Sequence, residues 1–170
     1  MPIEARVLPP ARSTKEVYDH QTALAEIKEP TAFKLSAPLL DQGRMDTVLA
    51  ATDNLTLRLK VYASGGENEL HAHPNEDHSF IVLQGSAQFH DGNGKLVRLG
   101  PNEGLMLPRG SMYWFAATSK EPLVMIRIGS PNQGLKGYAA RTGRDGRTMT
   151  GDSAENKTVA VKVKEGARFG

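Results

Sequence analysis

Polar and apolar positions change period twice along the chain, dividing it into three parts. Near the N-terminus Val17, Leu24 and Ile27 recur at helical spacing. Ser13 and Glu16 precede them with the three-residue separation of a capping box, in which each side chain bonds the other's free backbone N–H. The spacing predicts a short helix reaching about Glu29, where Pro30 stops it. From Thr31 onward the period is two. Leu55, Leu57, Leu59 and Val61 alternate with Thr56, Arg58 and Lys60, which reads as a half-buried strand. Short β-forming runs follow at 69–73, 78–83, 87–90, 96–99, 104–107, 113–117 and 123–128. Gly65-Gly66 and Asp91-Gly92-Asn93-Gly94 mark turns between them, the second a strong hairpin signal. Many short strands broken by Gly, Pro and Asn indicate an all-β sandwich or barrel.

After Ser130 the texture changes again. Residues 131–170 are rich in glycine and charge and poor in large apolar side chains, so they cannot build a core of their own. Only 158–163 reads as a possible strand. The expected organisation is therefore an N-terminal arm and helix over 1–30, a barrel over 31–130, and a polar extension over 131–170. That extension wraps over the barrel, pairs with a partner subunit, or is partly disordered.

Composition narrows the function classes. With 170 residues, 39% hydrophobic and 24% charged, the chain suits one globular domain. A net charge of +2, with no dominant basic stripe, gives no reason to expect nucleic acid. No run approaches the roughly 18 apolar residues of a membrane helix, and the first dozen residues lack a signal peptide's apolar stretch, so a cytoplasmic protein is expected. Cysteine is absent, which excludes disulfides and thiolate chemistry and leaves His, carboxylate, Tyr or water for any metal.

Of the five histidines, three fall close together at 71, 73 and 78. On a strand, residues i and i+2 share a face, so His71 and His73 can aim at one point. A turn through Pro74-Asn75-Glu76-Asp77 would bring in His78 from the next strand. Imidazole suits Fe, Mn, Ni, Cu and Zn alike, so the ligands do not name the ion. Glu69 has the strand parity of His71 and His73, and is either a fourth ligand or general base, or a strand end facing solvent. Phe80 and Val82 share a face with His78, as Phe115 does with Tyr113, and with Met106 they would line an apolar pocket or form plain core. Arg127 lies in an apolar strand, either inward to meet a substrate carboxylate or outward on the surface. His20 and His90 carry no assigned role.

The run from Gly65 through His71, His73 and His78 to Gly85 resembles the first motif of the cupin superfamily, G-x5-H-x-H-x3,4-E-x6-G, at every spacing. Pro108, Gly110 and Tyr113 echo the second, G-x5-P-x-G-x2-H-x3-N, with Asn102 and Ala117 at its outer positions. His78 stands at the family's glutamate and Tyr113 at its second-motif histidine. The resemblance covers about 55–128 and implies a cupin-type double-stranded β-helix, a jelly-roll barrel, holding one divalent metal on His71, His73 and His78. It also implies a homodimer, since exposed edge strands need covering.

Three neutral imidazoles would leave the ion's charge uncompensated and favour an anionic enolate or carboxylate. Tyr113 would then ligate, donate a hydrogen bond, or fill space. Histidine-rich cupins include dioxygenases, so the resemblance implies a non-haem dioxygenase using Fe(II) on a small oxygenated molecule, with Tyr113 or Glu69 handling protons. The alternatives are a metal Lewis-acid isomerase, lyase or cyclase, and a ligand-binding cupin without turnover.

Overall fold

Ser13 caps the first helix as its spacing predicts, and the structure, a computed structural model, describes residues 3–135, 140–149 and 151–170, without the side chains of 133–135. Helix α1 spans Thr14–Ala25, four residues short of the expected end. Ser13 Oγ accepts from the Glu16 N–H at 3.1 Å, while the Glu16 carboxylate reaches the Arg12 N–H at 2.8 Å rather than that of Ser13. Ten strands follow: β1 (Ala37–Gln42), β2 (Arg44–Ala51), β3 (Thr56–Tyr62), β4 (Gly66–His71), β5 (Glu76–Gln84), β6 (Ala87–Asp91), β7 (Gly94–Leu99), β8 (Gly104–Leu107), β9 (Tyr113–Ala117) and β10 (Leu123–Leu135). A one-turn helix α2 (Ala154–Lys157) and strand β11 (Lys162–Phe169) complete the described chain. Among the described residues no helix is long and apolar enough to cross a membrane.

Two antiparallel sheets, β2-β3-β10-β5-β8 and β4-β9-β6-β7, face each other. Their inner faces interdigitate: Tyr62, Phe80, Val82, Leu123 and Met125 from the first meet Phe89, Tyr113 and Phe115 from the second. Aromatic edges hold them together, with Tyr62 and Phe80 each near 5.5 Å from Phe115 (5.4 and 5.5 Å between ring centres). The fold is thus all-β and barrel-like, with one short N-terminal helix.

The first sheet is buried on both faces, which the alternation in β3 conceals. Leu57, Leu59 and Val61 point outward into a second core with Leu40, Val124 and Phe169. That core is roofed by β1 and β11, which pair antiparallel with an irregular register. The polar set of β3, Thr56, Arg58 and Lys60, shares the inward face of Tyr62 and is buried. The expectation of one wet face is therefore corrected: the chain spends its leucines on the outer layer and turns charge into the barrel. β10 repeats the device, with Leu123, Met125 and Arg127 inward and Val124 and Ile126 outward. The interior is consequently apolar at one end and charged at the other.

The described part of the 131–170 extension packs on the barrel. Thr142 bridges Ala72, Ser153 and Asn156 bond the backbone of Gly66, and β11 sits later than the run expected at 158–163. Residues 136–139 and 150 of that extension lie outside the described residues.

Candidate metal centre and the charged cavity beside it

The three histidines stand where the apolar and charged ends of the barrel meet. His71 ends β4 opposite Tyr113 of β9, and His78 lies on β5 between Gly129 of β10 and Leu107 of β8. His73 is held in the connection by its carbonyl, which accepts from the Gly110 N–H at 3.0 Å. Ring centres are 5.3 Å apart for His71 and His73 and 4.8 Å for His73 and His78. Tyr113 packs against all three, nearest His71 at 4.5 Å.

All three are buried, at most 3% exposed, and short of partners. His71 Nδ1 donates to the Glu69 carbonyl at 2.7 Å, but among the described residues its Nε2 and both nitrogens of His73 and His78 have no hydrogen bond. Each such buried polar atom costs about 1–3 kcal/mol left alone. Burial pushes the His78 imidazole down to about 2, and the Arg127 charge adds to the effect. His73 is lowered for the same two reasons, burial first. Both are therefore neutral, as ligation demands. Among the described residues, no group of three or more His, Asp or Glu side chains stands ready to hold an ion as drawn. The rings share a neighbourhood, not a finished coordination shell. Their orphaned donors nevertheless have the chemistry that fits a divalent metal.

Glu69 does not join them. Its side chain is exposed, because the β4–β9 register slips between Glu67 and His71 and breaks the parity that the even spacing implied. The bulge brings Glu67 inside instead. This carboxylate is fully buried and accepts from Lys60 Nζ at 2.9 Å, the Tyr113 hydroxyl at 3.1 Å and the Tyr62 hydroxyl at 3.3 Å. Arg141 Nη2 and His71 Nε2 stand at 3.4 and 3.5 Å. Burial raises the Glu67 carboxyl, but Lys60, Arg141 and His71 override it and hold it well below its usual range. Tyr113 is driven the other way, well above the usual phenol value, by burial and then by the Glu67 charge. A neutral hydroxyl thus donates to an ionised carboxylate.

Arg127 points inward and is already paired. Both its terminal nitrogens donate to Glu76, at 2.8 and 2.6 Å, in a fully buried fork. Glu76 also lies 3.7 Å from His73 Nδ1. Gly129 is required beside this pair, since a side chain there would strike the Glu76 carboxylate and Thr56.

A cavity of about 320 Å³ opens over this charged end. His73, Glu76 and Arg127 line it with Arg44, Asp46, Arg58, Lys60 and Arg141, under a rim from α1 and α2. Phe80, Val82, Met106 and Phe115 do not line it. Phe80, Val82 and Phe115 belong to the sealed core, Phe80 resting edge-on against His78. Met106 is 65% exposed, because it sits opposite outward Ser79 while Leu107 faces inward beside His78. Arg44, Asp46 and Arg141 went unnoticed in the sequence, since nothing local marks them. His90, unassigned, stacks flat on Trp114 at 3.7 Å.

Asp46 makes this cavity acid-sensitive. Burial raises its carboxyl, yet Lys60, Arg58 and Arg44 hold it below the ordinary 3.8. A lowered folded-state pKa stabilises the fold above the unfolded value and loses that contribution as pH falls through the folded one. The stability advantage of the wild type over Asp46→Asn is expected in full above pH 3.8 and to shrink below it, read by urea unfolding across pH.

Residues 58–129 match the sequence profile of the Cupin domain. Among solved structures, a conserved protein with a double-stranded β-helix domain from Klebsiella pneumoniae aligns with a TM-score of 0.52 at 20% identity, over 62% of this chain and 94% of its own. KdgF from a Halomonas species is 26% identical over 52% of this chain and 79% of its own, with a TM-score of 0.48. A cupin superfamily protein from Desulfitobacterium hafniense is 25% identical over 52% and 77%, with a TM-score of 0.44. No curated protein matches the chain. The matched span holds His71, His73, His78 and Tyr113, and leaves Arg44, Asp46, Arg141 and Asp152 outside it.

Proposed function

Because the chain is a cupin superfamily protein, we propose that it is a metal-dependent enzyme acting on a small anionic substrate with an enolisable carbonyl. The observation that carries this reading is the cluster of five unpartnered nitrogens on buried imidazoles beside a cation-rich cavity. His71, His73 and His78 are the residues that would hold the ion. A bound divalent ion supplies a positive centre that polarises a carbonyl oxygen and, when redox-active, opens oxygen chemistry.

The remaining work falls to the chain's own side chains. The Arg127–Glu76 fork fixes the wall against which His73 rests. The Tyr113 ring packs on His71, and its hydroxyl donates to Glu67 Oε2. Together they hold one proton on Tyr113 Oη, with Glu67 Oε2 as its acceptor. Sealed aromatic packing by Phe80 and Phe115 keeps water from that side.

The dioxygenase form of this reading takes Fe(II) and consumes oxygen. The Lewis-acid form, an isomerase, lyase or cyclase, needs no oxygen. Metal analysis of anaerobically purified protein tests the common premise. Near-stoichiometric metal in the wild type, lost in His73→Ala, is expected; a wild type that takes up no metal even on reconstitution would sink the proposal. Oxygen uptake during turnover of hydroxyketones or diketones then selects the first form, and turnover without uptake the second.

A further inference from the structure

The cavity arginines divide sharply by how well they are satisfied. Arg127 spends both terminal nitrogens on Glu76, and Arg44 donates to Asp152 at 2.7 Å. Arg58 and Arg141 are less fully satisfied. Arg58, 8% exposed, makes no hydrogen bond among the described residues, and its nearest acid oxygen is Asp46 Oδ2 at 3.8 Å. Arg141 donates one hydrogen bond, from Nη2 to Glu67 at 3.4 Å, and stands 4.0 Å from Asp152. In both residues the Nε–H is buried without an acceptor among the described residues. Asp46 does not repair this: Arg44, Arg58 and Lys60 surround it at 3.8–3.9 Å, beyond bonding range, and its Oδ1 also lacks a partner. It serves as a counter-charge, not as a ligand.

Resting on the metal reading above, we infer that Arg58 and Arg141 form a second anion subsite, so that the substrate is a small dicarboxylate. One end meets His73 and the other takes the two guanidinium groups. A free Nε beside a terminal nitrogen is the edge on which a guanidinium grips a carboxylate with two parallel bonds. His73 lines the same cavity as both arginines, so one molecule reaches both ends. At about 320 Å³ the space lies at the small end for ligand sites. The lining carries Arg12, Arg44, Arg58, Lys60, Arg127, Arg141 and Lys157 against Asp46 and Glu76, an excess of positive charge that suits an anion.

Calorimetric titration of the metal-loaded protein with succinate, propionate and inorganic phosphate tests this. Succinate is expected to bind at least about tenfold more tightly than propionate, as one charge-assisted pairing supplies. Arg58→Gln and Arg141→Gln should each reduce that preference while metal content stays at the wild-type level. Arg141→Gln, on the extension rather than in the barrel wall, covers the event that Arg58→Gln fails to fold. The same titrations on metal-stripped protein separate the two proposals, because the preference for succinate should survive there at weaker affinity. Equal binding of succinate and propionate, an undiminished preference in Arg141→Gln, or phosphate binding more tightly than succinate would overturn the assignment.

Discussion

Glu67→Gln should unfold at markedly lower denaturant than the wild type, with a loss of about 3–5 kcal/mol, the usual cost of removing one member of a buried ion pair. The charge of Lys60 is the reason. Its ammonium is 1% exposed, and burial already lowers its pKa against the opposing pull of Asp46 and Glu67. Take Glu67 away and the nearest carboxylate is Asp46 at 3.8 Å, shared with two arginines. Two tyrosine hydroxyls also lose their charged acceptor. The double variant Lys60→Met/Glu67→Gln should recover part of the loss, because it removes the stranded charge together with its partner. Equal stability of the wild type and Glu67→Gln in urea would show that the network carries no such load.

Tyr113→Phe should have the opposite profile, with turnover falling about 10²–10⁴-fold, the range for a positioned proton-transfer group. Stability should change far less, since the ring keeps its contacts with His71, Phe80 and Phe89. The diagnostic is a lowered kcat with metal content intact. A variant that keeps full kcat would make Tyr113 a space-filler, and one that loses metal would make it a ligand. Its hydroxyl already donates to Glu67, which argues against ligation.

The histidine cluster was legible because its information is local. His71 ends β4, His73 follows two residues on in the connection and His78 lies on β5, so chain continuity alone keeps the three close. The hairpin at Asp91 was legible for the same reason: its side chain accepts from the Asn93 and Gly94 N–H groups. Glu67 and Glu69 mark where that logic fails. Both share the parity of His71, and only a register slip in the pairing with β9, distant in sequence, decides which enters. β3 fails more instructively. Its alternation is real, but alternation says only that two faces differ. Which face meets the barrel depends on the β1–β11 roof, which no residue of β3 encodes. Met106 and Leu107 repeat the ambiguity on a shorter strand. Arg141 and Asp152 were invisible because they reach the cavity from a tail whose composition shows only that it cannot fold alone.

That tail has a kinetic consequence. Arg44 meets Asp152 across 108 residues, and Ser36 meets Gly170 across 134. The two sheets, by contrast, close shorter loops, their widest pairing joining Thr56 and Gly129 across 73 residues. Closing the longer loops carries an entropic penalty that must be met before their contacts return anything, and such contacts slow folding. During refolding the histidine-bearing barrel should therefore form ahead of the wall that carries Arg141. For that interval the protein holds a pocket open on one side, with its charged floor in contact with bulk water.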